Sequence, residues 1–164
     1  MESASLVSSW DLLVGMNHGQ FLLYTQEPHG VDPRDLARVV AAARTGPGIA
    51  AHFGTVVVTS PHERNLAMPL RVEVWDAHPT DDLDNWQEAF ELDLTVKPLG
   101  LIFDSPGQPS FKIPVPAGEQ HVRVTGFGFS EHDHADAESP GDRWRIQLWP
   151  CEEQHEAARL KAAS

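Results

Sequence analysis

The chain has one cysteine, Cys151, among its 164 residues. A lone thiol cannot close an internal disulfide, so a cross-linked scaffold is excluded, and a reducing compartment, the cytoplasm, is the simplest expectation. Basic residues are scarce as well. Twelve Lys and Arg stand against 24 Asp and Glu, a formal charge of −12 with His neutral. A nucleic-acid binder needs cations to neutralise phosphates, and anionic lipid attracts the same cations, so both partner classes are disfavoured. No apolar run approaches the ~20 residues of a membrane span. Residues 1–9 carry neither the basic stretch nor the apolar core of a signal peptide and read as a flexible N-terminus. A basic protein, a cation or a neutral small molecule stays open as a partner.

What the chain does have is short runs of alternating apolar residues. Residues 88–96 place Phe90, Leu92, Leu94 and Val96 on one face and Glu91, Asp93 and Thr95 on the other, the pattern of a half-buried strand. Residues 143–149 do the same with Trp144, Ile146 and Leu148. Asp11–Met16, Asn17-His18-Gly19 and Gln20–Thr25 read as strand, turn and strand, a hairpin. Further runs lie at 49–59, 68–77, 99–103, 111–115 and 122–124. One helix is signalled over 33–44, with Asp32 as N-cap, Pro33 as first residue, Leu36, Val39, Val40 and Ala43 on one face, and Gly46-Pro47-Gly48 as stop. The expected fold is mainly β: an antiparallel β-sandwich of eight or nine strands with one covering α-helix. At this length one domain is the default, here 10–150, followed by a C-terminal tail, 151–164, with helical propensity.

The charge is clustered. Residues 1–72 hold six acids and five bases, whereas residues 73–164 hold 18 acids and seven bases. Two segments concentrate the excess. One runs from Asp76 through Asp81, Asp82 and Asp84 to Glu88, and the other from Glu131 through Asp133, Asp136 and Glu138 to Asp142. Clustered carboxylates steer a basic partner and pair with the Lys and Arg that would otherwise hold phosphate. The candidate partner-binding residues are therefore Asp81, Asp82, Asp84, Glu88, Asp133, Asp136 and Glu138. The second segment also contains His132 and His134, which project to one side of an extended chain. With Asp136 as a third ligand they are the candidate metal site for a divalent ion; no other cofactor is implied.

Catalytic motifs are wanting. His155 and Glu156 lack the second His of a zincin helix, Gly126-Phe127-Gly128 lacks the third glycine of a dinucleotide loop, and there is no Gly-x-Ser-x-Gly elbow or phosphate loop. Cys151 precedes Glu152 and Glu153, whose charge disfavours a thiolate nucleophile. His121 lies in a strand and reads as structural, its ring nitrogens satisfied by neighbours. Trp75 and Trp149 sit opposite the aliphatic residues of their strands, where a second packed layer is the expected role. Trp75 or Trp86 could instead stack a sugar.

Two stretches carry a family resemblance. Asn17 to Tyr24 (Asn-His-Gly-Gln-Phe-Leu-Leu-Tyr) resembles the early hairpin of the competence protein J (ComJ) family. Phe111 to Val124 resembles its late strand, Pro-x-Gly turn and strand, and the order of Phe90–Thr95 and Leu99–Ser105 is also similar. The resemblance spans about residues 11–128. It implies an inhibitor that binds a DNA-entry nuclease, and it implies no catalytic residue.

Three readings follow. The first is an acidic, non-enzymatic binding protein that inhibits a basic partner such as a nuclease or toxin, in the manner of an immunity protein. The second is a metal-binding module or metal-dependent enzyme built on the 131–136 cluster. The third is a carbohydrate- or ligand-binding β-sandwich.

Overall fold

The computed structural model describes residues 3–52, 54–129, 141–151 and 157–162. Its elements are β1 (Leu6–Met16), β2 (Gln20–Tyr24), α1 (Pro33–Thr45), β3 (Ile49–His52), β4 (Thr55–Thr59) and β5 (Asn65–Trp75). Then come β6 (Glu88–Val96), β7 (Leu101–Asp104), β8 (Phe111–Ile113), β9 (Gly118–Phe127), β10 (Arg143–Pro150) and β11 (Ala158–Lys161). Alternation sets which way each strand faces. Phe90, Leu92, Leu94 and Val96 of β6 are buried together with Trp144, Ile146 and Leu148 of β10, as their spacing requires.

Two sheets pack face to face. The six-stranded sheet has the order β1-β5-β10-β9-β6-β11, and the five-stranded sheet β3-β4-β2-β7-β8. Their inner faces share one core, with Phe21 and Phe103 from one sheet meeting Trp144 and Phe90 from the other. Trp144 lies flat on the backbone of Gly126, where a Cβ would come within 2.9 Å of three indole carbons. The outer face of the five-stranded sheet is apolar too. Leu22, Tyr24, Val57 and Ile102 take Val39 and Ala43 of α1, which gives the helix its covering role. Asp32 caps it, its Oδ1 accepting from Arg34 N at 2.8 Å.

The fold is mainly β with one helix, and four expectations need correction. The run 49–59 is two strands, β3 and β4, paired antiparallel, and β11 is added, so the described residues hold eleven strands rather than eight or nine. The sandwich is not wholly antiparallel, because β10 pairs parallel with β5. The segment 11–25 is not a hairpin. β1 pairs with β5, whereas β2 pairs with β4 and β7 in the other sheet, and only an isolated Asn17–Gln20 bridge joins them. The reason lies in β2, whose five residues are all buried and so need cover on both faces. His18 and Gly19, at φ 56° and 65°, make the tight crossing between sheets. Finally, the termini pair: β1 starts at Leu6, inside the stretch expected to be flexible, and Ala158–Lys161 is a strand on β6 rather than a helix.

Candidate functional site

The outward face of the six-stranded sheet is polar, and cross-strand register orders it into rows. One row runs Asp11, Arg71, Arg145 and Thr125; the next runs Glu73, Gln147, Arg123 and Glu91; a third runs Trp149, His121 and Asp93. Within these rows opposite charges meet. Arg71 donates to Asp11 at 2.9 and 3.1 Å and to Glu73 at 2.8 Å. Glu73 also accepts from Trp75 Nε1 at 2.8 Å and Gln147 Nε2 at 2.9 Å. Burial pushes the Glu73 carboxyl up, but donation from Arg71, Gln147 and Trp75 outweighs it and leaves it below the usual range.

The segment joining β5 to β6 lies over this face and is tied down by charge. Arg145, largely buried, donates to both oxygens of Asp82 at 2.7 Å each. That bidentate pair holds the Asp82 carboxyl below its ordinary range. Arg123 meets Asp81 at 2.8 Å and donates to Glu91 at 2.6 and 2.8 Å. The guanidiniums also rest on rings, Arg145 4.5 Å from the centroid of Trp86 and Arg123 5.4 Å from that of Trp149. An open groove of about 390 Å³ remains beside this strap, lined by Arg71, Glu73, Trp86, Arg143 and Arg145 among others.

At the end of the sheet His121 is clasped by two carboxylates. Nδ1 lies 2.5 Å from Asp93 Oδ1, and Nε2 lies 3.2 Å from Glu91 Oε2. The contact with Glu91, more than burial can oppose, raises the imidazole pKa. Burial pushes Glu91 up in turn, yet His121 and Arg123 prevail and bring it down to about 2. Cys151 follows β10 directly, and donor atoms of Asp93, His121 and Cys151 all lie within 4.8 Å of one another. Those three residues could hold a metal.

A second polar cluster is internal. Asp142 is wholly buried, and its carboxyl group receives Trp144 Nε1 at 2.5 Å, Ser60 Oγ at 2.8 Å and Asn65 Nδ2 at 3.0 Å, with His62 Nδ1 at 3.1 Å. Ser60, His62 and Asp142 do not form a nucleophile relay, because the serine hydroxyl donates to the carboxyl group and His62 is buried.

Two solved structures share this arrangement of strands. One is ComJ from Bacillus subtilis, an inhibitor of the DNA degrading activity of NucA. It superposes with a TM-score of 0.60 over 92% of this chain and 100% of its own, at 12% identity. The other is the product of crocagin biosynthetic gene J, with a TM-score of 0.55 over 89% of this chain and 98% of its own, again at 12% identity.

The chain has a ComJ-like fold.

No protein-family model and no curated protein matches the sequence.

Within the ComJ-like fold the anticipated site residues separate. Asp81 and Asp82 come together on the strap, but each already faces an arginine; Asp81 keeps 63% of its side chain exposed and Asp82 keeps 32%. Asp84 is exposed beside them. Glu88 does not belong with this group. It points to the inner side of β6, is 3% exposed, and meets Arg159 at 3.4 Å. Asp133, Asp136 and Glu138, and the metal candidates His132, His134 and Asp136, lie outside the described residues. Of the tryptophans named as stacking candidates, Trp75 donates its Nε1 to Glu73 and Trp86 lies under Arg145. Trp149 packs against His78 and His121 at 4.9 and 4.6 Å, the second layer expected of it. The Asp93–His121–Cys151 group was not legible beforehand. Outward alternation marks Asp93 and His121 separately, but only register joins them.

Proposed function

We propose that this chain is a non-catalytic binding protein of the cytoplasm that inhibits a basic protein, a nuclease or toxin, by covering it with an acidic surface. The observation that carries the reading is the strap on the six-stranded sheet. Buried Arg145 takes both oxygens of Asp82 and so pins the strap, while buried Arg123 fixes Asp81, whose carboxylate stays exposed, and Asp84 is exposed alongside. A carboxylate already held in place loses little freedom on binding, so more of its attraction to a partner's Lys or Arg is retained. Asp133, Asp136 and Glu138 are further partner contacts in this proposal. Two further facts support it. The fold is shared with ComJ, an inhibitor of a DNA-degrading protein, and the acid excess lies almost entirely after residue 72.

The test is an inhibition assay with the purified basic nuclease or toxin encoded nearest to this chain's gene. Wild-type protein should abolish its activity near equimolar ratio, and Asp84→Lys should require several-fold more protein at low salt. Full activity in the presence of excess wild-type protein sinks the proposal. Equal inhibition by Asp84→Lys removes the strap as the contact surface.

A further inference from the structure

The geometry points to a metal site of the zinc class formed by Asp93, His121 and Cys151, none of which is among the partner-contacting carboxylates proposed above. Three adjacent positions build it. Asp93 of β6 stands directly across from His121 of β9, His121 stands across from Trp149 of β10, and Cys151 is the next residue but one along the chain. Cys151 N donates to Glu119 O at 3.1 Å, which fixes the start of the departing chain beside β9. The carboxylate, imidazole and thiol donors thus converge to within 4.8 Å. Zinc bonds of about 2.0–2.3 Å in a tetrahedron set ligand atoms roughly 3.3–3.8 Å apart. Side-chain rotations of about an ångström therefore close the set.

The surroundings fit a ligand set of this kind. His121 Nδ1 already points at Asp93 Oδ1, 2.5 Å away, so an ion entering there replaces that proton between the two. Nε2 then keeps its proton and donates it to Glu91, 3.2 Å away, while Arg123 holds Glu91 at 2.6 Å. A carboxylate on the far nitrogen is the usual device that fixes the tautomer and ring plane of a metal-bound histidine. The site is sheltered as well: the Asp93 side chain is 1% exposed and that of His121 14%. Thiolate and imidazole select zinc over magnesium or calcium, which take all-oxygen sets, and the fourth position falls to water. The ion would clip the segment leaving β10 to β6 and β9.

Tag-free protein titrated with Zn2+ against a chromophoric chelator tests the assignment, with Co2+ as spectroscopic probe. We expect one zinc per chain and a thiolate-to-cobalt charge-transfer band. Cys151→Ser, at a half-buried position beyond a strand end, should remove the band. It should also weaken zinc by more than the roughly 10–100-fold typical of losing an outer-sphere partner. Asp93→Asn provides a second variant and should weaken zinc while leaving the cobalt–thiolate band in place at saturating Co2+. Circular dichroism of the metal-free variants checks that both fold. Absence of stoichiometric zinc in the wild type overturns the proposal. So does zinc affinity in Cys151→Ser within tenfold of wild type, or zinc lost on changing His132 and His134 instead.

Discussion

Asp142 offers the sharpest test of how the sandwich is held together. By sequence it ends an acidic segment and reads as solvated, yet the structure buries it completely beneath four side chains. Replacing it with Ala takes the acceptor from Trp144 Nε1 and Ser60 Oγ and removes one of the two acceptors of Asn65 Nδ2, which keeps the backbone carbonyl of residue 142 at 2.8 Å. A buried donor left unpaired costs about 1–3 kcal/mol. Three such costs do not add fully, because the hole admits some relaxation and new pairing, so about 3–5 kcal/mol is expected. Against a total stability of about 5–15 kcal/mol this is a large fraction. At about 2–4 °C per kcal/mol for a chain of this size, the melting temperature should fall by roughly 6–20 °C. Asp142→Asn keeps the volume but turns one acceptor oxygen into a donor, and should fall between Ala and wild type. Thermal unfolding followed by far-ultraviolet circular dichroism gives the answer, with exposed Asp84→Ala as a control expected within about 0.5 kcal/mol of wild type. A loss below about 1 kcal/mol for Asp142→Ala would refute the buried-buttress reasoning.

Three further outcomes follow from the same structure. Gly126→Ala puts a methyl 2.9 Å from the Trp144 ring and should cost about 1–3 kcal/mol, measured by urea denaturation. Asp32→Ala removes the N-cap of α1 and should cost about 0.5–2 kcal/mol while leaving partner inhibition unchanged, since α1 covers the opposite sheet. The folded-state pKa of Asp82 is depressed by Arg145, so its contribution to stability is present above the unfolded carboxyl's pKa and is lost as pH falls through the lower folded value. Asp82→Asn should therefore flatten the acid limb of the stability–pH curve; a limb as steep as wild type would contradict the pairing.

The residues reveal the two-layer pattern well where one face is wet. Alternation at 88–96 and 143–149 gives the buried set directly, and Asp32-Pro33 with Gly46 bounds the helix within a residue. Where both faces are covered, alternation disappears. β2 is buried throughout, so nothing local says that its partners are β4 and β7 rather than β1. Parallel pairing of β10 with β5 is likewise a matter of distant strands. The same limit applies to the site. Asp82 is plainly acidic in sequence, but the arginine that takes both its oxygens is 63 residues away. Asp142 is 80 residues from His62, and nothing near it in the chain announces that it is buried. Charge counting locates acids; only the fold divides them into those spent on internal cations, such as Asp82, and those left outward, such as Asp84.

The most direct test of the central claim is the association rate of this chain with the basic nuclease or toxin proposed as its partner, measured as a function of salt. Steered encounter between an acidic surface and a basic one predicts a rate that falls at least about tenfold from low to high ionic strength. Asp84→Lys should lower the low-salt rate and flatten that dependence. A rate indifferent to salt, with the Asp84→Lys protein binding as fast as wild type, would contradict an acidic surface as the means of inhibition.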